Sequence, residues 1–375
     1  MSKSKSKSND TILVTGATGF LGGAIATDLL ENEPDAQLLF LVRADDVAQG
    51  FERLRANVAK LEPGAAAMAR LRPDMVICGD LGSFPARIAD PRVQAITRVL
   101  NAGALASFAW KPEIWNINVD DTSAFAAAIA TLPAMRRFLH VGTAMISGNA
   151  ADRTVQEDEF PADVRQFVPY TRSKAEIERR LPALLGAVPL VIARPSIVVG
   201  HTRLGCKLSP SIFWMFRMIH AARCVPFPPG NRVDVIPVDY CARALVHLLM
   251  KDELAEIRYH VSAGPAQACS FDEIDDAYSA ALDEADAAPL SQFDIGDLKS
   301  MEGHFGEWFG PCDPRRISSA VHMYRAFAGL NVIFDNHRLL AEDMPAPPGF
   351  ADYVAACVHT GQDLTVAEQM LYEFR

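Results

Sequence analysis

Two side chains that together can deliver a proton stand four residues apart, at Tyr170 and Lys174. Because residues at this spacing share one face of a helix, the Lys174 ammonium is expected beside the Tyr170 phenol. A nearby positive charge should lower the tyrosine pKa from its ordinary value of about 10 towards the working pH. Thr143, after the predicted strand Phe138–Val141, adds a hydroxyl for a developing oxyanion. These three residues form the candidate catalytic group, although a Tyr-x-x-x-Lys pair alone also arises by chance.

A glycine-rich turn lies between the apolar strand Thr11–Thr15 and a helical stretch that reaches Asn32. Gly16 permits a sharp turn, Gly19 lets the backbone approach a pyrophosphate, and Gly22 lets the helix pack closely on the strand. The helix N-terminus offers N–H groups and partial positive charge to the phosphates. We therefore predict a dinucleotide site with contacts from Gly16, Thr18, Gly19, Phe20 and Leu21.

The residue that ends the second strand indicates which dinucleotide is bound. A carboxylate there would accept hydrogen bonds from the ribose 2′-OH of NAD, whereas an arginine accommodates the 2′-phosphate of NADP. Arg43 has this position and Arg53, on the next helix, could reach the same phosphate, so NADPH is favoured. The alternative is that both are solvated surface arginines. Further cofactor contacts are predicted after the third and fourth strands, at Asp80, Leu81, Asn101 and Ala102.

Apolar strands alternate with helices from Asp10 to Leu249. This alternation is typical of an α/β protein with a doubly wound parallel sheet, a Rossmann domain with helices on both faces. The composition changes after Gly200, where a segment rich in Phe, Met, Ile and Pro begins. We predict a flexible tail over 1–9, an NADP-binding Rossmann domain over 10–200 and 233–261, and a smaller, discontinuous, mostly helical substrate domain over 201–232 and 262–375.

Composition excludes several classes of protein. The chain has 36 Lys and Arg against 46 Asp and Glu, a net charge of −10, so nucleic acid is not an expected partner. Its seven cysteines form no CxxC pair and its nine histidines show no metal spacing, so neither a disulfide scaffold nor a metal site is expected. No apolar run reaches the roughly 18 to 20 residues that span a bilayer. We expect a cytoplasmic protein, for which membrane surface contact is allowed but not required.

Together these segments resemble an extended short-chain dehydrogenase/reductase, and within that superfamily the thioester reductase and fatty acyl-CoA reductase group. The motifs that carry the resemblance, in chain order, are TGATGFLG (15–22), LVR (41–43), GDL (79–81), NV (118–119), YTRSKAE (170–176), ARPSIV (193–198) and IPVDY (236–240). A looser likeness to fatty acyl-CoA reductases follows at 330–338. The sequence departs from the family pattern at Leu100, Gly103, Asp121 and Gly142, without loss of a catalytic group.

The resemblance implies a role for each candidate. Tyr170 would be the proton donor, Lys174 the ribose anchor that tunes the tyrosine pKa, and Thr143 the hydroxyl that orients the carbonyl. Asn118 would support the lysine through a water, or alternatively cap a helix. The cofactor's nicotinamide would pack against Pro195, Ile197 and Val198.

One apolar segment is open to three interpretations. Residues Ser211–Ile219 are apolar nearly all round a helix. In the superfamily that this chain resembles, the equivalent insertion lines the substrate cleft, where an acyl chain could be buried. The segment could instead be core or a dimer face, or a membrane-surface helix whose Arg217 and Arg223 meet headgroups.

The resemblance implies NADPH-dependent reduction of an acyl thioester, carried by CoA or a carrier protein, to the aldehyde and in a second round to the alcohol. No carrier domain is recognised in the 375 residues, so the acyl group is expected on a separate molecule. The nearest alternative is other extended dehydrogenase chemistry, namely alcohol or ketone oxidoreduction or nucleotide-sugar epimerisation. A redox-sensing protein that binds the dinucleotide without turnover is a third hypothesis. The sequence leaves the acyl chain and the oligomeric state open.

Overall fold

A parallel seven-stranded sheet forms the centre of the computed structural model, which describes residues 10–61, 65–107, 110–160, 165–206, 212–284 and 287–373. The tail predicted over 1–9 and the start of the apolar segment, Ser211, lie outside these residues. The sheet strands are β1 (Thr11–Thr15), β2 (Gln37–Val42), β3 (Val76–Cys78), β4 (Arg98–Asn101), β5 (Arg137–Val141), β6 (Leu190–Pro195) and β7 (Arg258–Val261).

The strands are ordered β7-β6-β5-β4-β1-β2-β3, and all neighbours are parallel. The chain leaves β1 in one direction towards β2 and β3, then crosses back to β4, so the order reverses between β1 and β4. At such a switch point the connections diverge and leave a crevice at the carboxyl ends of the strands. The predicted doubly wound α/β fold is therefore confirmed.

Ten longer helices lie within the described residues. They are α1 (Phe20–Asn32), α2 (Val47–Leu61), α3 (Thr122–Ile129), α4 (Pro169–Leu185), α5 (Phe213–Ala222), α6 (Val238–Met250), α7 (Phe271–Ala281), α8 (Pro314–Ala328), α9 (Val354–Gly361) and α10 (Val366–Glu373). Pro169 begins α4 at a position where a missing N–H costs nothing and the fixed φ suits a helix.

Shorter elements complete the described chain. Paired short strands are Arg153–Val155 with Val332–Phe334, Ile197–Val198 with Val235–Ile236, Cys224–Val225 with Ser291–Gln292 (all parallel), and Arg232–Val233 with Cys269–Ser270 (antiparallel). Short helical segments are Ala66–Arg70, Pro73–Met75, Phe84–Arg87, Pro91–Gln94, Glu113–Trp115, a π-helical turn at Asn116–Asp121, Ala144–Ser147, Gly264–Gln267, Ile295–Asp297, Leu298–Met301, Glu302–His304, Phe305–Phe309, His337–Ala341 and Phe350–Asp352.

Both faces of the sheet are buried, which explains why its strands are apolar at consecutive positions. Ile12 and Val14 face α1 and α6, where they join one apolar cluster. Leu13, between them, faces the opposite way and joins a second cluster, which includes residues of α3 and α4. The sheet is thereby fixed between two helical layers, and its carboxyl edge is held in place.

A separate apolar core collects residues from 199–235 and from 271–370. Phe213, Trp214 and Phe216 of α5 are at most 1% exposed within it. The described part of the apolar segment is thus core, which argues against a membrane-surface helix. The predicted boundaries assign 262–375 to the substrate domain, yet Ile333 and Leu339 pack with the first sheet cluster. Among the described residues, none of the helices combines the length and apolar character that a bilayer crossing requires.

Candidate active site

A cleft with a volume of about 580 Å³ lies at the carboxyl edge of the sheet, across the β1/β4 switch point. This volume is in the range of ligand sites in proteins. Most of the residues predicted to act in catalysis or cofactor binding line it: Gly16, Thr18, Gly19, Phe20, Leu21, Arg43, Arg53, Asp80, Leu81, Ala102, Thr143, Tyr170, Lys174, Pro195 and Val198. The fold therefore brings together segments that lie far apart in the sequence.

The glycine turn leaves no room for side chains at two positions. Gly16 has a φ of +76°, which favours glycine, and a Cβ there would lie 2.7 Å from the Ala102 carbonyl oxygen. At Gly22 a Cβ would lie 2.1 Å from the Gly16 carbonyl oxygen. The turn can therefore present its backbone and the N-terminus of α1 to a ligand at close range. These features fit the pyrophosphate of a dinucleotide.

Asn57 of α2 braces this turn, a role that the sequence analysis did not predict. Its Nδ2 donates hydrogen bonds to the carbonyl oxygens of Ala17 and Gly19, at 2.9 Å each. A side-chain amide one turn from the end of an amphipathic helix carries no local signal of such a contact. The turn is therefore held both by its own glycines and by the next helix.

The two predicted phosphate-binding arginines lie together at one end of the cleft. Arg43 and Arg53 are exposed, and the Arg53 guanidinium donates a hydrogen bond to the Arg43 carbonyl oxygen. Asp80 lies nearby, where the Ser83 hydroxyl and N–H donate to its carboxylate at 2.7 and 2.8 Å. These hydrogen bonds lower the Asp80 pKa, and the charge of Arg43 acts in the same direction. This end of the cleft thus offers two guanidinium groups to an anion.

Two predicted cofactor contacts lie outside the cleft lining. Asn101 is fully buried. Its Oδ1 accepts a hydrogen bond from Thr15 Oγ1 at 2.6 Å, and its Nδ2 faces His140. Ile197 instead packs against the second apolar core, and its strand pairs with Val235–Ile236. The side chain of Asn101 therefore braces neighbouring strands, while Ala102 and Gly103 after it line the cleft.

The three candidate catalytic residues all line the cleft. Tyr170 stands in the first turn of α4, and Lys174 follows one turn later. Lys174 is 3% exposed and its Nζ donates a 2.8 Å hydrogen bond to the Val141 carbonyl oxygen. Thr143 begins the short helical turn after β5, and its Oγ1 accepts a hydrogen bond from the Met145 N–H at 3.3 Å. A hydroxyl, a phenol and an ammonium thus line the same cleft.

The pKa of Tyr170 differs from the expectation. Burial raises the pKa of Tyr170 to about 12. The prediction that the neighbouring ammonium lowers this pKa is therefore wrong for this structure. Burial also lowers the pKa of Lys174 to about 8, against the opposing charge of Glu178. Tyr170 is consequently a protonated phenol at neutral pH, which suits a group that donates a proton.

The side chain of Asn118 joins two segments that border the cleft. Its Oδ1 accepts from the Leu105 N–H at 2.8 Å, and its Nδ2 donates to the Leu105 carbonyl oxygen at 3.1 Å and to Ser173 Oγ at 3.0 Å. Ser173 Oγ in turn donates to the Tyr170 carbonyl oxygen at 2.7 Å. Leu105 lines the cleft, so Asn118 fastens a wall of the cleft to the helix that carries Tyr170.

Several other lining residues were not predicted as contacts. Ser196 and Leu105 are examples, as is Asp121, where the sequence departs from the family pattern. Burial, with the charges of Asp80 and Asp120, raises the Asp121 pKa. The sequence shows that Asp121 departs from the family pattern, but only the fold shows that this residue lines the cleft.

Comparison with known proteins gives a family and several relatives. Residues 14–245 match the family described as male sterility protein. The non-canonical nonribosomal peptide synthetase FrzA of Cladobotryum sp is 30% identical over 299 residues, 74% of this chain and 28% of that protein. The aldehyde reductase lnaA of Aspergillus flavus is 27% identical over 270 residues, 67% of this chain and 25% of that protein. The chain thus spans about a quarter of the length of these relatives.

Solved structures share the fold. The terminal R domain from the myxalamid PKS-NRPS pathway gives a TM-score of 0.73 at 22% identity, over 94% of this chain and 90% of that chain. The reductase domain of a nonribosomal peptide synthetase from Mycobacterium tuberculosis gives 0.71 at 23% identity, over 95% and 92%. UDP-glucuronic acid 4-epimerase from Bacillus cereus gives 0.63 at 15% identity, over 94% and 99%. The chain therefore belongs to the male sterility protein family, in the thioester reductase group of the extended short-chain dehydrogenases/reductases.

Proposed function

We propose that this protein reduces an acyl thioester, carried by CoA or by a carrier protein, with NADPH as the reductant. The observation that carries the proposal is that Thr143, Tyr170 and Lys174 line the same cleft as the glycine turn and the arginine pair. Relatives described as a nonribosomal peptide synthetase and as an aldehyde reductase support this chemistry. A solved thiolation-reductase di-domain with the same fold supports a carrier-bound substrate.

The residues of the cleft fit the proposed reductant. The backbone of the glycine turn would take the pyrophosphate, and Arg43 and Arg53 would take the 2′-phosphate that distinguishes NADPH from NADH. When bound, NADPH supplies a hydride. Lys174, which already holds a backbone carbonyl at the floor of the cleft, would anchor the ribose.

Thr143 would stabilise the charge on the thioester oxygen, and Tyr170 would supply the proton. Thr143 would donate a hydrogen bond to the thioester oxygen as negative charge develops on it. Tyr170 would then give its hydroxyl proton to that oxygen, which makes a hemithioacetal. Collapse of the hemithioacetal breaks the C–S bond, releases the thiol and leaves the aldehyde, and a second round would give the alcohol. The raised pKa of Tyr170 agrees with a donor that stays protonated until charge develops.

The test supplies purified protein with NADPH and either fatty acyl-CoA of graded chain length or an acylated carrier protein, and follows NADPH loss. We expect thioester-dependent oxidation of NADPH, with thiol and aldehyde as products. Tyr170→Phe should lower kcat by roughly 10² to 10⁴-fold while NADPH still binds. Lack of thioester-dependent NADPH loss, together with turnover of a ketone or nucleotide sugar, would contradict the proposal. Nucleotide released on denaturation gives a rapid check, since a tightly held NAD would favour an epimerase.

A further inference from the structure

A buried row of hydrogen bonds crosses three strands directly beneath the cleft. The Gly103 N–H donates to Thr15 Oγ1 at 2.9 Å, Thr15 Oγ1 is 2.6 Å from Asn101 Oδ1, and Asn101 Nδ2 is 3.2 Å from His140 Nδ1. Thr15, Asn101 and His140 are register partners on β1, β4 and β5. All three are at most 1% exposed, so the row has no access to bulk water.

A fixed donor at one end sets the direction of every bond in this row. The Gly103 N–H can only donate, so Thr15 Oγ1 accepts there and gives its own hydrogen to Asn101 Oδ1. The amide nitrogen of Asn101 therefore faces His140, and Nδ1 of that ring must accept. His140 is thus neutral, with its proton on Nε2. A second proton on Nδ1 would set two donors against each other.

The ring of His140 lies on the side of the sheet that the helix of the catalytic residues covers, and Lys174 Nζ donates to the carbonyl oxygen of the next residue, Val141, at 2.8 Å. Phe138, two residues earlier on β5, packs in the same cluster as Ile177 of α4, so the alternation of the strand turns His140 towards α4 as well. His140 Nε2 is buried and no atom of the described residues accepts its hydrogen bond. Burial lowers the pKa of His140, and the charge of Lys174, one turn before Ile177 on α4, lowers it further.

We propose that His140 is a positioning residue for Lys174: its Nε2–H, oriented by the Thr15–Asn101 row, disfavours the ammonium form and lets Lys174 release a proton near neutral pH. This inference rests on the proposed function, because the proton is needed after Tyr170 has given its own to the substrate oxygen. The lysine N–H proton then passes to the phenolate oxygen, which restores Tyr170, and the lysine amine regains a proton from solvent. Burial already lowers the pKa of Lys174 to about 8, and the Nε2–H of His140 would act in the same direction.

Other charges around Lys174 act differently. Glu178, on the same helix, favours the ammonium, but its carboxylate is engaged by Arg194 of β6 and Arg258 of β7. Asp120 on the neighbouring π-helical turn pairs with Arg180, 3.6 Å away. Tyr170 is protonated at neutral pH and adds no charge. Arg194 and Arg258 are cations on the sheet side, but both are paired with Glu178, whereas the Nε2–H of His140 has no acceptor among the described residues and is left to act against the charge of Lys174.

The experiment measures the titration of Lys174 directly, so that it does not depend on turnover. Lysine labelled with ¹³C and ¹⁵N, with Lys174→Arg used to assign the signal, gives the titration midpoint by NMR in the full chain. His140→Asn retains an oxygen acceptor near the Nδ1 position for Asn101 and removes Nε2–H. We expect this variant to raise the midpoint by about one pH unit. The alkaline limb of the kcat profile for thioester reduction should move by the same amount.

The outcomes separate the two proposals. An unchanged Lys174 midpoint in His140→Asn would overturn the role of His140, even if wild-type protein reduces thioesters. A raised midpoint without thioester reduction would support the effect of His140 on Lys174 and contradict the proposed function. The wild-type chain gives a second test that needs no variant, because ¹⁵N shifts of the ring report its tautomer. An Nδ1–H tautomer, or a ring that becomes charged between pH 6 and pH 9, would equally overturn the proposal.

Discussion

Asn118 makes two hydrogen bonds with the backbone of a single residue, Leu105: it accepts from the N–H at 2.8 Å and donates to the carbonyl oxygen at 3.1 Å. A third bond, to Ser173 Oγ, connects it to the helix that carries Tyr170. The Asn118 side chain therefore pairs with both backbone groups of Leu105, as a neighbouring strand would. The cleft wall at Leu105 and the catalytic helix should move together.

Asn118→Ala would leave both backbone groups of Leu105 without these partners. We expect a loss of about 1–3 kcal/mol in the free energy of unfolding and faster hydrogen exchange at the Leu105 amide. Asn118→Asp is the matched control, because its oxygen can still accept from that amide. Exchange at Leu105 that is equally slow in the alanine variant would show that the loop is held by other contacts.

Gly22→Ala tests the close approach within the glycine turn. The new Cβ would lie 2.1 Å from the Gly16 carbonyl oxygen, so the turn must shift away from α1. We expect a destabilisation of about 1–3 kcal/mol and loss of dinucleotide binding, measured by urea unfolding and by NADPH fluorescence. Gly303→Ala, where a Cβ meets nothing within 4 Å, should change neither. Unaltered NADPH affinity in Gly22→Ala would show that the turn does not position the pyrophosphate.

Arg43→Ala and Arg53→Ala test the choice of dinucleotide. Each removes a guanidinium that lines the cleft, so kcat/KM with NADPH should fall roughly 10 to 100-fold while that with NADH stays unchanged. Arg55→Ala is the control on the same helix, since Arg55 pairs with Glu52 on the surface. Equal losses with both dinucleotides would mean that neither arginine recognises a 2′-phosphate.

The sequence predicts the parts of this fold that depend on local pattern. The strand predicted over Thr11–Thr15 has the bounds of β1, and the strand predicted over Phe138–Val141 lies within β5, because continuous apolar runs report burial directly. The glycine spacing likewise predicts the turn at Gly16, where both φ and the space for a Cβ require glycine.

Contacts between distant residues were beyond such patterns. Asn57 binds the turn from about 40 positions away, and nothing in its own neighbourhood marks it. A π-helical turn at Asn116–Asp121 precedes α3 and carries Asn118, whose contact with Leu105 no local pattern indicates. The Tyr170 pKa was expected to fall, since spacing shows the neighbouring ammonium but not the burial that outweighs it.

Glu157 should make stability depend on pH. It is 0% exposed, with Oε1 accepting from the His260 N–H at 2.8 Å and Oε2 from the Arg338 N–H at 2.7 Å. Burial nevertheless raises its pKa from 4.5 to about 7, although these two backbone hydrogen bonds and, more weakly, the charge of His337 oppose the shift. Because the folded chain holds this proton more tightly than the unfolded chain, the contribution to stability is full below about pH 4.5 and is lost as the pH rises through 7.

Glu157→Gln isolates this effect, because glutamine cannot ionise while its carbonyl oxygen still accepts from the His260 N–H. The free energy of unfolding of the wild type, minus that of Glu157→Gln, should fall by about 3 kcal/mol between pH 4.5 and pH 8, since each pKa unit corresponds to about 1.4 kcal/mol. Urea unfolding of both proteins at several pH values gives this difference, and groups that titrate in both cancel. A difference that stays flat, or one that rises with pH, would show that the backbone N–H donors outweigh burial and keep Glu157 ionised in the folded protein.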